Sequence, residues 1–219
     1  MIEHIVKKGV PGELGATLIN GGVNFSVYSK DATAVKLCLF ESENSIEPSQ
    51  IIDLNPVENK TGDIWHVFVE GLSENALYLY LMDGLYDPTK GKRFNVNKYL
   101  FDPYAKAFTN GSVFKSYNNL HKEGFSQNQG GKILNLQSFP KCVVVSDDFD
   151  WEGDKPLNYP LKDTIIYETH LKGFTASKTS AVDNSIAGTY KGFTQKIEYL
   201  KSLGITSVEL LPIFEFDEN

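Results

Sequence analysis

Titratable side chains that could carry acid–base chemistry gather near the C-terminal end of this 219-residue sequence. Glu168 and His170 lie in one short apolar run, Glu209 lies in a second, and the acidic segment EFDEN follows at 215–219. If the two runs form adjacent parallel strands, Glu168 and Glu209 approach each other and perturb each other's protonation. The sequence therefore offers a carboxylate pair with a nearby histidine as its first candidate for acid–base catalysis.

A structural role for the same three residues is the simpler interpretation, and we favour it. Each glutamate could accept a hydrogen bond inside a sheet or barrel, and His170 could pack as a structural side chain. A catalytic histidine needs a partner that positions it, and the sequence identifies none. Glu168, His170 and Glu209 are therefore predicted to be polar strand residues with structural roles.

The elements that must position these side chains are two short strands and the helix between them. A β-rich run predicts a strand over 164–170, and a second strand is predicted over 207–211. Apolar residues recur between them at helical spacing, and Gly204 stands where a left-handed C-cap is expected. These apolar positions are Phe193, Ile197, Leu200 and Leu203. The pattern predicts a βαβ unit, whose parallel strands need cover on both faces.

This region resembles the opening of the catalytic barrel in the α-amylase superfamily, most closely that of the isoamylase-type glycogen debranching enzymes. The resemblance rests on FDWEGDKPLNYPLKD at 149–163, IIYETHLKGFT at 165–175, and the run from GTY to ELLP at 188–212. It implies that the βαβ unit begins a (β/α)8 barrel. It also implies retaining hydrolysis of α-1,6-glucosidic branch linkages by two carboxyl groups about 5 Å apart.

In that family the nucleophile, the acid/base and a third stabilising aspartate sit on barrel strands four, five and seven. Those strands are expected to be missing here, so we assign no catalytic residue in this chain. The expectation is a truncated barrel start that is inactive alone and leaves an unpaired edge at 207–211. Amide protons from about residue 164 onward are then expected to exchange much faster than those of the preceding domain.

The first half of the chain has the period-two pattern of β-strands. The alternating apolar runs are 23–27, 35–39, 64–69 and 77–82. The segments at 22–40 and 91–108 resemble the glycogen-binding-type module that precedes the barrel in debranching enzymes. We therefore predict an antiparallel β-sandwich of the immunoglobulin-like, carbohydrate-binding-module type over 1–108, a connector over 109–162 and an incomplete barrel start over 163–219.

Aromatic side chains of the predicted sandwich are candidates for sugar binding, because starch-like chains are usually held against aromatic faces. The candidates are Trp65, Tyr78 and Tyr80, of which the two tyrosines share one strand face. Trp65 alternates with apolar neighbours, so a place in the core is the alternative that we favour for it. Relatives tend to carry Tyr-Gly-Tyr-Arg where this chain reads YLYL at 78–81, a change that removes a charged donor.

The amino-acid composition limits the kinds of binding partner that this protein is expected to have. Twenty-eight acidic and twenty-one basic residues give a formal net charge of -7, which argues against nucleic acid or an anionic membrane. A neutral α-glucan needs no such attraction. The sequence shows no membrane span and no signal peptide, which predicts a cytoplasmic protein. Cys38 and Cys142 are expected to be buried free thiols, no metal site or cofactor is indicated, and the oligomeric state is left open.

Three functional hypotheses follow. The chain is the N-terminal part of a glycogen or starch debranching enzyme; it is a stand-alone α-glucan-binding or regulatory module; or it is part of an enzyme completed by a separate chain. The run from FDWEGD to ELLP favours the first hypothesis, since a pure binding module has no use for a barrel start.

Overall fold

The computed structural model describes residues 3–111 and 136–214, and the chain divides into two compact units. The first unit runs to residue 149 and the second begins at residue 150. The predicted surface connector around NQGG at 128–131 and the acidic segment at 215–219 lie outside the described residues. We describe each unit by itself.

The first unit is built from short strands, several of which follow the predicted period-two runs. In chain order they are β1 Val6–Lys7, β2 Gly15–Ile19, β3 Gly22–Tyr28, β4 Ala32–Phe40, β5 Gln50–Leu54, β6 Lys60–Thr61, β7 Ile64–Glu70, β8 Leu77–Gly84, β9 Tyr86–Asp87, β10 Lys92–Arg93, β11 Ala107–Phe108 and β12 Cys142–Val143. The four predicted runs correspond to β3, β4, β7 and β8, and each observed strand is slightly longer. Strand β5 was not predicted, because only Ile52 and Leu54 of its short sequence are buried.

These strands form two antiparallel sheets that share one core, and β9 and β10 form a separate hairpin. One sheet has the order β1-β7-β3-β2, with β6 also paired to β7, and the other has the order β11-β12-β8-β4-β5. The inner faces of the sheets meet where the rings of Phe25 and Tyr78 lie edge to face with their centroids 5.0 Å apart. The predicted antiparallel β-sandwich is therefore confirmed.

The outer face of the first sheet is covered by the N-terminal segment, which the alternating pattern did not reveal. Strand β3 is buried on both faces, and residues 8–10 lie over β7 and β3 on the outer face of this sheet. The Asn24 amide accepts a hydrogen bond from the Val10 N–H at 2.9 Å and donates one to the Val10 carbonyl at 3.0 Å. On β7, buried His66 donates from Nδ1 to the Lys8 carbonyl at 2.9 Å. Polar side chains on this face therefore serve as internal hydrogen-bonding partners rather than as a solvated surface.

The sandwich extends further along the chain than the predicted boundary at residue 108. Strand β12 pairs with β8, and Leu136, Phe139 and Val144 are buried in the shared core. The Phe139 ring stacks on Phe101 with centroids 4.8 Å apart. Residues 136–149 therefore belong to the first unit, and they correct the prediction that the whole of 109–162 is a connector.

The second unit contains the predicted parallel strand pair. Its elements are β13 Ile166–Thr169, α1 Leu171–Ala176, α2 Tyr190–Thr194, α3 Ile197–Ser202 and β14 Ser207–Leu210. Strands β13 and β14 are parallel and in register from Ile166 opposite Ser207 to Thr169 opposite Leu210. Gly204 has φ +78° and follows Leu203, the C-cap of α3, so the predicted left-handed helix end is confirmed.

The helical part of this unit differs from the prediction in two ways. The predicted single helix is broken into α2 and α3, and α1 follows β13 without an intervening loop. The α1 segment LKGFTA carries no apolar repeat long enough to reveal a six-residue helix. None of the helices in the described ranges is long and apolar enough to span a membrane.

Burial is sparse in the second unit. Leu200 and Val182 are its buried apolar residues within 150–214, whereas Ile166 is 53% exposed on β13 and Leu203 is 50% exposed at the end of α3. On the helix side of the strands, the Phe174 ring contacts Tyr167 at 5.7 Å and Phe193 at 4.9 Å between centroids. The helices therefore cover one face of the parallel pair, and the face that carries Ile166 is open within this unit.

Candidate functional site

The three aromatic candidates for sugar binding lie inside the sandwich core. Trp65, Tyr78 and Tyr80 are 1%, 0% and 1% exposed, so none offers a ring face to a sugar in the folded protein. The Trp65 indole donates from Nε1 to the Ser29 carbonyl at 3.1 Å, and Lys60 Nζ lies 4.7 Å from its ring centroid. These rings are core residues, which corrects their assignment as sugar-binding candidates and confirms the alternative favoured for Trp65.

The two tyrosines form part of a buried polar group around Asp102. The Tyr78 hydroxyl donates to the Asp102 carboxylate at 2.9 Å, and the Tyr104 N–H donates to the same side chain at 2.8 Å. Burial raises the pKa of Asp102, and these two donors oppose that rise. The Tyr80 hydroxyl is buried without a hydrogen-bond partner in the described part of the chain. This group is enclosed in the sandwich, so it organises the core and cannot act on a large substrate.

Glu168 and Glu209 are brought together as predicted. They are paired residues on β13 and β14, and adjacent strands lie about 4.8 Å apart. Both side chains are exposed and neither has a hydrogen-bond or ion-pair partner among the residues described. They share the open face of the strand pair with Ile166. The predicted structural hydrogen bonds are therefore absent from the described residues, and no enclosed site surrounds the pair there.

His170 has the structural role that was favoured, although it is exposed rather than packed. It is the N-cap of α1, and its Nδ1 accepts a hydrogen bond from the Gly173 N–H at 3.0 Å. This contact fixes the neutral tautomer with the proton on Nε2 and satisfies an N–H at the start of the helix. The histidine is thus engaged in ending β13 and beginning α1.

The two cysteines are buried free thiols, as predicted. Cys38 pairs with Leu79 and Cys142 pairs with Tyr78, on either side of β8. Because adjacent residues of a strand point to opposite faces, the two thiols lie on opposite faces of the sheet, two strands apart, which excludes a disulfide. Burial raises the pKa of each to about 12, so neither is a reactive thiolate at neutral pH.

A groove that the sequence did not indicate lies at one end of the sandwich. Its volume is about 360 Å³, and we call it the end groove. It is bounded by the β7–β8 turn at 71–76, the end of β4 with Glu41, and His4 from the N-terminal segment. The turn residues could be read from Gly71 and Asn75, but the groove depends on the pairing of β4 with β8, which only the fold provides.

Metal chemistry has no support in the described ranges, where no three His, Cys, Asp or Glu side chains are close enough to hold an ion. The residues that could bind or act on a ligand are therefore the exposed pair Glu168 and Glu209 and the polar residues at the rim of the end groove.

Parts of known proteins are similar to this chain in sequence. Residues 13–105 match carbohydrate-binding module 48, the isoamylase N-terminal domain. The chain is 42% identical over 215 residues to the chloroplastic isoamylase 1 of Oryza sativa subsp. japonica, covering 97% of this chain and 25% of that protein. It is 36% identical over 219 residues to the glycogen debranching enzyme of Yersinia enterocolitica, covering 96% of this chain and 30% of that protein.

A solved structure has the same fold at lower sequence identity. The multi-modular glycogen-degrading pneumococcal virulence factor SpuA matches with a TM-score of 0.66 at 22% identity, over 96% of this chain and 20% of that one. The chain thus spans about a quarter to three tenths of the curated relatives named above. Nearly the whole chain is therefore similar to part of the isoamylases and glycogen debranching enzymes, and residues 13–105 are similar to the isoamylase N-terminal domain.

Proposed function

We propose that this chain is the N-terminal part of an enzyme that hydrolyses the α-1,6-glucosidic branch linkages of glycogen or starch with retention. The observation that carries the proposal is the alignment of nearly the whole chain with isoamylases and glycogen debranching enzymes. Retaining hydrolysis needs a nucleophile and an acid/base that flank the scissile bond in a shaped site. The exposed pair Glu168 and Glu209 lacks such a site in the described residues, so the proposal assigns catalysis to carboxylates outside this chain.

The finer architecture is part of the same proposal. The second unit is the beginning of a (β/α)8 barrel, and the first unit is an immunoglobulin-like module that precedes it. Parallel strands, a helical crossover and an open strand face that carries Ile166, Glu168 and Glu209 support this assignment, because the inner face of barrel strands is normally covered by further strands. Glu168 and Glu209 are then interior residues of the barrel wall.

Transfer of the chain into a relative tests the proposal. Residues 1–219 would replace the matching N-terminal part of the Yersinia enterocolitica glycogen debranching enzyme, and release of reducing ends from amylopectin would be measured. We expect the chimera to debranch and the 219-residue chain alone to release nothing. A folded chimera without activity contradicts the proposal. Activity of the isolated chain, lost in Glu168→Gln, would instead assign catalysis to the exposed glutamate pair.

Binding of α-glucan without catalysis is the second candidate function, and the match of residues 13–105 to a carbohydrate-binding module supports it. Retardation of the isolated chain in a native gel containing glycogen is the expected result, measured against the same gel without glycogen. An unchanged mobility contradicts glucan binding by this chain and leaves the chimera test unaffected. A cytoplasmic location is also proposed, and fractionation of the source cells checks it.

A further inference from the structure

We infer that the end groove binds an α-glucan chain, an inference that rests on the proposed carbohydrate function of the first unit. The groove combines a hydrophobic floor with a polar rim. Phe40, Leu72 and Leu77 contribute the largely covered apolar part, and the exposed residues Glu41 and Asn75 lie on the rim. A volume of about 360 Å³ lies within the usual range of small-ligand sites.

The rim carries hydrogen-bonding groups that the protein itself does not use. The Asn75 amide and the Glu41 carboxylate have no hydrogen-bond partner within the described part of the chain. His4 donates from Nδ1 to the Glu70 carbonyl at 3.3 Å, and its Nε2 has no hydrogen-bond partner in the described part of the chain. Three side chains from distant parts of the sequence thus present unused polar atoms to one groove.

The chemistry of these groups selects a neutral, hydroxyl-rich ligand. Most of the unused atoms are acceptors, and they require donors such as sugar hydroxyls. The carboxylates of Glu41 and Glu74 disfavour an anion, and the described residues do not bring three metal-ligating side chains together. A glucose unit has hydroxyl donors on its rim and C–H groups on its faces, which match the acceptors and the apolar floor.

The backbone of the β7–β8 turn supports a ligand-related role for Asn75. Asn75 has φ +68°, a left-handed conformation that glycine adopts more easily than asparagine. Its N–H donates to the Val144 carbonyl at 2.8 Å, which holds the residue in this conformation whatever its side chain. Glycine would therefore suit the fold at least as well, and the asparagine places an amide on the rim without a bond to the rest of the unit.

Binding of maltoheptaose to the whole chain, followed by calorimetry and by amide chemical shifts, tests the inference. We expect shifts at 71–77 and around Glu41, and affinity at least about tenfold weaker in Asn75→Gly and in Glu41→Gln. Asn75→Gly keeps the turn and its N–H bond, so its melting temperature is expected to be unchanged or higher. Glu58→Gln, in the exposed turn before β6, is the matched control and should bind as the natural chain does.

The outcomes separate the inference from the proposed function. Chemical-shift changes elsewhere, or affinities of both rim variants equal to that of the natural chain, would place the glucan at another site. The inference about the end groove would then be wrong, although the chain would still bind glucan. If maltoheptaose does not bind at all, the inference about the end groove is also wrong, yet the chimera can still debranch amylopectin. Equal affinity for a β-linked glucan of the same length would contradict α-glucan as the ligand.

Discussion

The two units of this protein differ in how their strands are covered. In the sandwich, strand β3 is buried on both faces, by the opposite sheet on one side and by residues 8–10 on the other. In the second unit, helices cover one face of the β13–β14 pair and the other face is open within the unit. Antiparallel sheets can leave one face in water, but parallel strands are normally covered on both. The sandwich therefore encloses its own core, whereas the β13–β14 pair leaves one face exposed.

Removal of a core ring should have the largest effect on the sandwich. Trp65→Ala deletes a side chain that is 1% exposed, together with its bond to the Ser29 carbonyl, and should lower the free energy of unfolding by about 3–5 kcal/mol. Urea denaturation followed by circular dichroism measures this change. Tyr28→Ala, on the neighbouring strand and 56% exposed, is the control and should change stability by no more than about 0.5 kcal/mol. A small effect of Trp65→Ala would contradict the compact core.

Hydrogen exchange compares the two units directly. Amides of β3, β4, β7 and β8 should be protected at least about a hundredfold more than those of β13, α3 and β14, because protection follows buried contacts. Native-state exchange followed by mass spectrometry or NMR provides the measurement. Equal protection in both units would show that the second unit has found a complete packing arrangement in the isolated chain. Added protection of β13 and β14 in the debranching chimera would show that polypeptide from the relative covers the exposed face.

The N-terminal cover of the sandwich should contribute measurably through Asn24. Asn24→Ala leaves the N–H and the carbonyl of Val10 without this amide and should destabilise the protein by about 1–3 kcal/mol. Ser26→Ala removes a bond to the same carbonyl, which Asn24 still satisfies, so its effect should be smaller. Urea denaturation of both variants gives the comparison. Equal effects would show that Asn24 has no special role in holding the segment.

Local sequence patterns predicted part of this fold, whereas features that depend on contacts between distant residues could not be predicted from the sequence. The alternation at 23–27 and 77–82 revealed strands of the sandwich, and the glycine at 204 marked a helix end, because these are local preferences. The burial of Asn24 and His66 could not be read from their neighbours, since the covering residues are distant in sequence. Within the site, the proximity of Glu168 and Glu209 was predicted from the parallel pairing, and the structure adds their register. The end groove did not, because it joins His4, Glu41 and Asn75 only after β4 pairs with β8.

The pH dependence of the free energy of unfolding tests whether Lys141 is enclosed in the sandwich. Its Nζ is buried and donates to the carbonyls of Glu43 and Leu136, each at 2.6 Å, and burial lowers its pKa from 10.5 to about 8. Between pH 8 and pH 10.5, Lys141 is therefore protonated in the unfolded chain but has lost its proton in the folded chain. The contribution of Lys141 to stability should therefore rise with pH above about 8, by roughly 1 kcal/mol near pH 9.

The variant Lys141→Met isolates this contribution, because burial of Cys38 and Cys142 has the opposite effect. Their raised pKa values make the folded state retain protons above pH 9, which lowers stability as pH rises in both proteins. The difference in free energy of unfolding between the natural chain and Lys141→Met, measured at pH 7 and pH 9, removes this shared effect. A difference that does not change with pH would show that Lys141 titrates as it does in the unfolded chain.

The smallest effect is expected at an exposed position of the predicted helical stripe. Leu200 and Leu203 belong to the same stripe, but Leu200 is 4% exposed and Leu203 is 50% exposed. Leu200→Ala should therefore accelerate the exchange of α3 amides strongly, and Leu203→Ala should change their protection free energy by no more than about 0.5 kcal/mol. In the debranching chimera the cost of Leu203→Ala should increase if the added polypeptide buries this side chain. Equal costs of the two substitutions in the isolated chain would mean that the end of α3 is already covered, and the contrast between a complete sandwich and an open second unit would fail.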